Sequence, residues 1–279
     1  MESMFNRLKK KTKSLLHRVG GALFEKPMQK LIAQEKAQTK TMEQLLTYIK
    51  VNMNKGHFDH YNYSPAAYLN FKAMRESAEL VEKNMESALV FDTRDSTQRL
   101  NVLDHALSQT MIDGFALEFG VFRGKSINII AGFLPEKQIY GFDSFEGLPE
   151  DWNGYFWEKG HFAVDHLPQV PDNVTLVKGW FSDTLPVFVK ESKIDAISFL
   201  HVDSDLYSSA KTIFDSLKEF IKVGTIIVFD EYYNYVNWKN GEYKAFMEFC
   251  ESERVQFTYL AFGHYQVSVR IISIGGESA

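Results

Sequence analysis

One cysteine in 279 residues excludes an internal disulfide, so the fold must be held by its core and not by covalent staples. Cys250 follows the amphipathic run 243–249 and reads as a small apolar packing residue. No stretch reaches the roughly 20 apolar residues needed to cross a bilayer, and the N-terminus lacks the apolar centre of a signal peptide. Internal repeats and low-complexity segments are also missing. These absences lead to the expectation of a soluble protein in a reducing, cytoplasmic setting. Glycine and proline are absent from residues 28–50, a Lys-, Gln-, Glu- and Leu-rich stretch that reads as helix.

Charge is unevenly spread. Residues 1–50 carry eleven Lys and Arg against four Asp and Glu, a net +7, which leaves −12 for the remainder of a chain whose total is −5. The cluster Arg7, Lys9, Lys10, Lys11, Lys13 and Arg18 is interleaved with Phe5, Leu8, Leu15, Leu16 and Val19. It reads first as a solvated helix end or frayed tail, with weak peripheral contact to an anionic membrane, or contact with nucleic acid, as the alternative. The acidic remainder argues against a nucleic-acid substrate. With 45% hydrophobic residues the chain can fill one α/β domain and a smaller appendage.

After a break over 52–62, Ser64-Pro65 starts a helix whose apolar residues run from Ala66 to Val81. Ser96 then reads as the N-cap of a helix carrying Leu100, Leu103, Leu107 and Met111 at helical intervals, up to Gly114. From there the pattern changes to short apolar runs separated by helices, which predicts a mostly parallel sheet. Five strands are expected at 115–119, 138–142, 174–177, 196–202 and 225–229. Helices are expected at 126–133, 185–190, 206–220 and 244–252, and a terminal hairpin at 256–261 and 266–272.

The first strand runs into Gly120-Val121-Phe122-Arg123-Gly124-Lys125-Ser126, a glycine turn entering a helix. Such a turn lets a ligand approach the backbone, and the helix start offers free N–H groups to an anionic end. Phe122 stands where a dinucleotide fingerprint needs its middle glycine, which disfavours a pyrophosphate-binding dehydrogenase. The second strand ends in Asp143-Ser144, so Asp143 is placed to accept hydrogen bonds from both hydroxyls of a ribose, or else to serve as a turn residue. Beyond the third strand, Gly179-Trp180-Phe181-Ser182 offers a turn, aromatic faces for a base and a polar partner for its amino group; Trp180 and Phe181 read equally well as core. Asp203 and Asp230 each end an apolar strand, one crossover helix apart, and Glu231 follows. Carboxylates converging in this way require a compensating cation or proton, and an oxygen ligand set suits Mg²⁺ or a similar hard divalent ion. The metal ligands read from the sequence are therefore Asp203, Asp230 and Glu231. His201, on the strand itself, reads as a satisfied core histidine.

Five motifs occur in order: 120–124 (GVFRG), 142–149 (FDSFEGLP), 178–186 (KGWFSDTLP), 202–207 (VDSDLY) and 230–232 (DEY). Together they resemble the macrocin O-methyltransferase (TylF-type) family over residues 96–275. The resemblance implies a Rossmann-like class I methyltransferase fold, a mostly parallel seven-stranded sheet with a C-terminal antiparallel hairpin, on residues 96–279, with residues 1–95 as a helical extension. It implies S-adenosylmethionine and Mg²⁺ as cofactors, a sugar or related hydroxyl as methyl acceptor, and a homo-oligomer. Cofactor contacts are expected from Glu118, Gly120, Val121, Arg123, Ser126, Asp143, Ser144, Gly179, Trp180, Phe181, Ser182 and Asp203, and Asp203 is also the expected base. The family often has two aspartates at the last pair, where this chain has Asp230 and Glu231. Aromatic segments 152–166 and 232–238 are expected to shape an acceptor pocket or a lid, or to serve a subunit interface. The competing readings are a catechol-type methyltransferase, a nucleotide-dependent dehydrogenase and a non-catalytic binding protein of the same fold.

Overall fold

The computed structural model describes residues 64–91, 98–152 and 157–278. The basic start, the helix expected before residue 50, the break over 52–62 and the Ser96 cap lie outside them. Pro65–Ala279 forms one compact unit. It opens with helix α1 (Pro65–Asn84), the two-residue strand β1 (Leu89–Val90) and α2 (Gln98–Ser108). There follow β2 (Phe115–Phe119), α3 (Lys125–Phe133), β3 (Ile139–Asp143), β4 (Val174–Lys178), α4 (Phe181–Glu191), β5 (Ile197–Val202), α5 (Tyr207–Leu217) and β6 (Ile221–Phe229). A 3₁₀ turn (Trp238–Asn240), α6 (Glu242–Ser252), β7 (Gln256–Phe262), β8 (Val267–Ile274) and β9 (Glu277–Ser278) complete it.

The strands form one sheet in the order β1-β7-β8-β6-β5-β2-β3-β4, with β9 on β8. The seven longer strands β2–β8 match the expected sheet, and β8 runs antiparallel to β6 and to β7. Burial on both faces explains why the strands read as unbroken apolar runs. Ala116, Phe199, Ile226 and Val228 pack on the α2 and α3 side, whereas Leu117, Leu200, Ile227 and Phe229 pack with residues of α4, α5 and α6. Phe214 of α5 stacks on Phe249 of α6 at 5.1 Å, and Phe246 lies against Phe229 at 5.0 Å, so aromatic packing carries much of that layer.

Several boundaries differ from the expected ones: α2 ends at Ser108, so Met111 lies beyond it and is exposed, α5 ends at Leu217 and α6 begins at Glu242; two further differences have identifiable reasons. Helix α4 begins at Phe181, a turn earlier than residue 185, because the Trp180 carbonyl accepts the amides of Asp183 and Thr184 and the Thr184 hydroxyl. Strand β6 begins at Ile221, ahead of Thr225, because Gly224 with φ +94° sits in an irregularity that steps the β5 register from Ile221 to Ile226. In the sequence that glycine looks like a strand boundary, and in the sheet it is a bulge. Among the described residues no helix is long and apolar enough to cross a membrane.

Candidate active site at the carboxyl ends of the strands

The strand order reverses at β2, which lies between β3 and β5, and ligands of open α/β sheets bind at such a switch point beyond the carboxyl ends. A cavity of about 720 Å³ opens there. Its wall includes Gly120 after β2, Asp143 and Ser144 after β3, Trp180, Phe181 and Ser182 at the start of α4, Asp203 after β5, and Asp230 and Glu231 after β6. Nine of the residues expected from the sequence thus share one wall.

The glycine turn is shaped by its neighbours. The Gly120 N–H donates to the Phe142 carbonyl at 2.9 Å and the Asp203 N–H donates to the Phe119 carbonyl at 2.8 Å, so the turn is tied to both flanking strands. Gly120 has φ +99°, and a Cβ there would run into the Asp203 carbonyl. The Asp143 carboxylate holds this loop from the other side. Its Oδ2 accepts from the amides of Val121 (2.9 Å) and Phe122 (2.7 Å), and its Oδ1 accepts from Phe145 at 2.6 Å. Three of about four acceptor positions are thereby used, leaving room for one outside donor in place of the two anticipated. Ser144 is likewise engaged within its own turn, with Glu146 and Gly147.

Replacement of Asp143 by Asn removes one acceptor oxygen and turns an amide donor toward a backbone N–H. A cost of about 1–3 kcal/mol in loop stability is expected, seen as faster hydrogen exchange at the Val121 and Phe122 amides. Unchanged protection at both positions would remove this clamp from the account.

Other expected contacts do not form part of the cavity wall. Val121 is buried in the core, and Arg123 lies with its guanidinium 5.0 Å from the centre of the Phe122 ring. Ser126 is in the first turn of α3, and Gly179 turns the chain behind Trp180, its N–H donating to the Asp143 carbonyl at 3.0 Å. Glu118, fully buried on β2, bonds its Oε1 to Nδ1 of His201 on β5 at 2.8 Å. Its Oε2 is buried and has no hydrogen-bond partner among the described residues. Burial pulls the His201 pKa down, but the Glu118 bond and the carboxylates of Glu118, Asp203 and Asp230 outweigh it, so the net direction is up. His201 is therefore the partnered core histidine that the sequence implied, seated against the acidic cluster.

That cluster consists of two overlapping groups. Ligand atoms of His201, Asp203 and Asp230 lie within 4.8 Å of one another, as do those of Asp203, Asp205 and Glu231. Asp203 belongs to both. Burial, then Asp230, Asp205, Asp203 and Glu242 in turn, push the Glu231 pKa well above the usual carboxylate range. Glu231 Oε2 is buried with no hydrogen-bond partner among the described residues. A hard divalent cation satisfies both conditions, since it takes oxygen ligands and offsets their repulsion. The donor set fits such an ion.

One residue of the cluster, and one neighbour bonded to it, are not singled out by the sequence. Asp205 adopts φ +63°, a conformation Asp tolerates better than most residues, and only the Asp-x-Asp spacing signals it. Gln266, in the hairpin turn, donates to Asp230 Oδ1 at 3.4 Å. The aromatic segments divide in their roles. Trp152, Trp157 and Phe162 line the cavity, and Phe162 meets Phe122 edge-on at 5.7 Å. By contrast Tyr232, Tyr233, Tyr235 and Trp238 are buried in the main core, which corrects the pocket-forming expectation for that segment.

Comparison with known proteins bears on this geometry. Residues 117–232 match the profile of a family described as methyltransferase domain. Over 144 residues the chain is 26% identical to the demethyldecarbamoylnovobiocin O-methyltransferase of Streptomyces niveus, covering 43% of this chain and 53% of that enzyme. Over 169 residues it is 25% identical to the 8-demethyl-8-(2,3-dimethoxy-alpha-L-rhamnosyl)-tetracenomycin-C 4'-O-methyltransferase of Streptomyces olivaceus, covering 51% and 63% of the two chains. The match thus spans between about half and two thirds of these relatives' length. In fold, the chain resembles the solved calicheamicin methyltransferase CalS11, with a TM-score of 0.53 at 22% identity over 76% of this chain and 93% of that one. The resemblance read from the five motifs is borne out by these relatives.

Proposed function

We propose that the chain transfers a methyl group from S-adenosylmethionine to a hydroxyl of a sugar or sugar-containing small molecule, with the chemistry carried by residues 96–279. The observation that carries this reading is the shared wall: the glycine turn and the acidic cluster meet at Gly120 and Asp203 in one cavity. The two O-methyltransferase relatives support it, one of them named for a rhamnosyl-bearing compound.

S-adenosylmethionine, when bound, supplies an electrophilic methyl group, and Mg²⁺, when bound, lowers the pKa of an acceptor hydroxyl. In this proposal the 120–124 turn and the start of α4 seat the cofactor. Trp180 and Phe181 present apolar faces to its base, with Phe181 held edge-on against Phe119 at 5.1 Å. Asp203, Asp230 and Glu231 would hold the metal; Asp203 and Asp230 group with His201, and Asp203 and Glu231 group with Asp205, so Asp205 is a further oxygen donor on the Glu231 side. An Asp203 carboxylate oxygen would take the acceptor's hydroxyl proton as the methyl group leaves the sulfonium sulfur. Trp152, Trp157 and Phe162 confine the acceptor. Incubation with labelled S-adenosylmethionine, a panel of glycosides and Mg²⁺ tests the reading. Label appearing on a glycoside hydroxyl, and disappearing with a chelator, is expected; transfer unaffected by chelation overturns the metal assignment.

A further inference from the structure

The acidic cluster is built from two loops that are distant in sequence, one after β5 and one after β6, and a single buried side chain bonds to both. Glu242, the first residue of α6, is fully buried and does not line the cavity. Its Oε1 accepts the Ser204 N–H at 3.0 Å and the Ser204 hydroxyl at 3.1 Å. Its Oε2 accepts the Glu231 N–H at 3.4 Å. Ser204 lies between Asp203 and Asp205, and Glu231 follows Asp230. Each amide that Glu242 holds therefore belongs to, or is next in chain to, a residue of the cluster.

We infer that Glu242 is a positioning residue that sets the separation between Asp203/Asp205 on one loop and Asp230/Glu231 on the other, and so tunes divalent-cation affinity without touching cation, cofactor or acceptor. The inference rests on the metal reading given above. The chemistry favours a carboxylate in this place. Three donors converge on its two oxygens, and only an acceptor at both ends can receive all of them. Gln keeps an oxygen for Ser204 but turns an amide donor toward the Glu231 N–H, which opens one arm of the clamp. Ala opens both. The neighbouring strand ends are in register, Val202 beside Phe229, so the sheet fixes where the loops leave but not where their side chains converge. Helix α6 supplies that constraint, anchored by Ala245, Phe246 and Phe249 in the core. Side chains behind a metal's own ligands typically alter its affinity by about 10- to 100-fold when removed.

The test is calorimetric titration of Mg²⁺, and separately Mn²⁺, into the full chain saturated with S-adenosylhomocysteine, for the wild type, E242Q and E242A. S-adenosylhomocysteine affinity is measured in parallel without metal. Metal affinity is expected to fall about tenfold in E242Q and about 100-fold in E242A, while cofactor affinity without metal stays within about twofold. A folded E242A with wild-type metal affinity overturns the inference, as does a parallel loss of cofactor affinity, which marks general loosening of the site. Should E242A not fold, E242Q alone decides by the same criterion. A wild-type protein that binds S-adenosylhomocysteine but neither cation overturns the metal reading itself and the inference with it.

Discussion

Replacing Asp203 by Asn is expected to lower methyl transfer by about 1000-fold or more while S-adenosylhomocysteine affinity without metal changes by no more than about threefold. Asp203 is the one side chain shared by both groups of the acidic cluster, and it lines the cavity beside Gly120. Asn has nearly the same shape, so its backbone N–H should keep its bond to the Phe119 carbonyl and the loop its course. What disappears is a charge, one acceptor oxygen and the capacity to take a proton. A metal ligand and the base are thereby removed together, whereas the other expected cofactor contacts are left in place. Turnover close to wild type in a variant that binds cofactor normally would take both roles away from Asp203.

The second large effect is expected at Gly120. Substitution by Ala places a methyl group against the Asp203 carbonyl and forces a non-glycine residue to φ near +99°. Neither side of that contact is a flexible side-chain tip, because the obstructing atom is backbone, in a residue whose N–H is bonded to the Phe119 carbonyl. A cost of about 3 kcal/mol is expected, or about 6–12 °C in Tm for a domain of this size. Cofactor affinity should fall by at least about tenfold, since the turn and the Asp203 loop must move apart. Differential scanning calorimetry and cofactor titration of G120A check both numbers. An unshifted Tm would mean that the β2 and β5 ends are not in the close contact described.

These two residues were legible in the sequence because each sits where an apolar run stops. Periodicity located β2 to β8 and the helices between them, and the positions just past the strand ends supplied Gly120, Asp143, Trp180, Asp203 and Asp230. Side-chain partners were less legible. Asp143 looked free to receive two ribose hydroxyls, but the positive φ of 50° at Phe122 turns the loop's amides onto its carboxylate. Glu118 looked like part of the glycine motif, but strand alternation points it across the sheet to His201, directly opposite in register. Glu242 carried no local signal at all. An acidic residue after a glycine at a helix start looks like ordinary dipole compensation, and its bonds to Ser204 and Glu231 span 38 and 11 residues of chain. The tyrosines of 232–235 were misplaced for a related reason, since aromatic content alone does not separate a core layer from a pocket wall.

Calorimetric titration of the full chain with S-adenosylhomocysteine, with and without Mg²⁺, tests the central claim most directly because it requires no knowledge of the acceptor. The account predicts one site per chain with micromolar-range affinity in either condition, and a separate heat for Mg²⁺ that is lost in D203N. Absence of S-adenosylhomocysteine binding to a folded sample would contradict it.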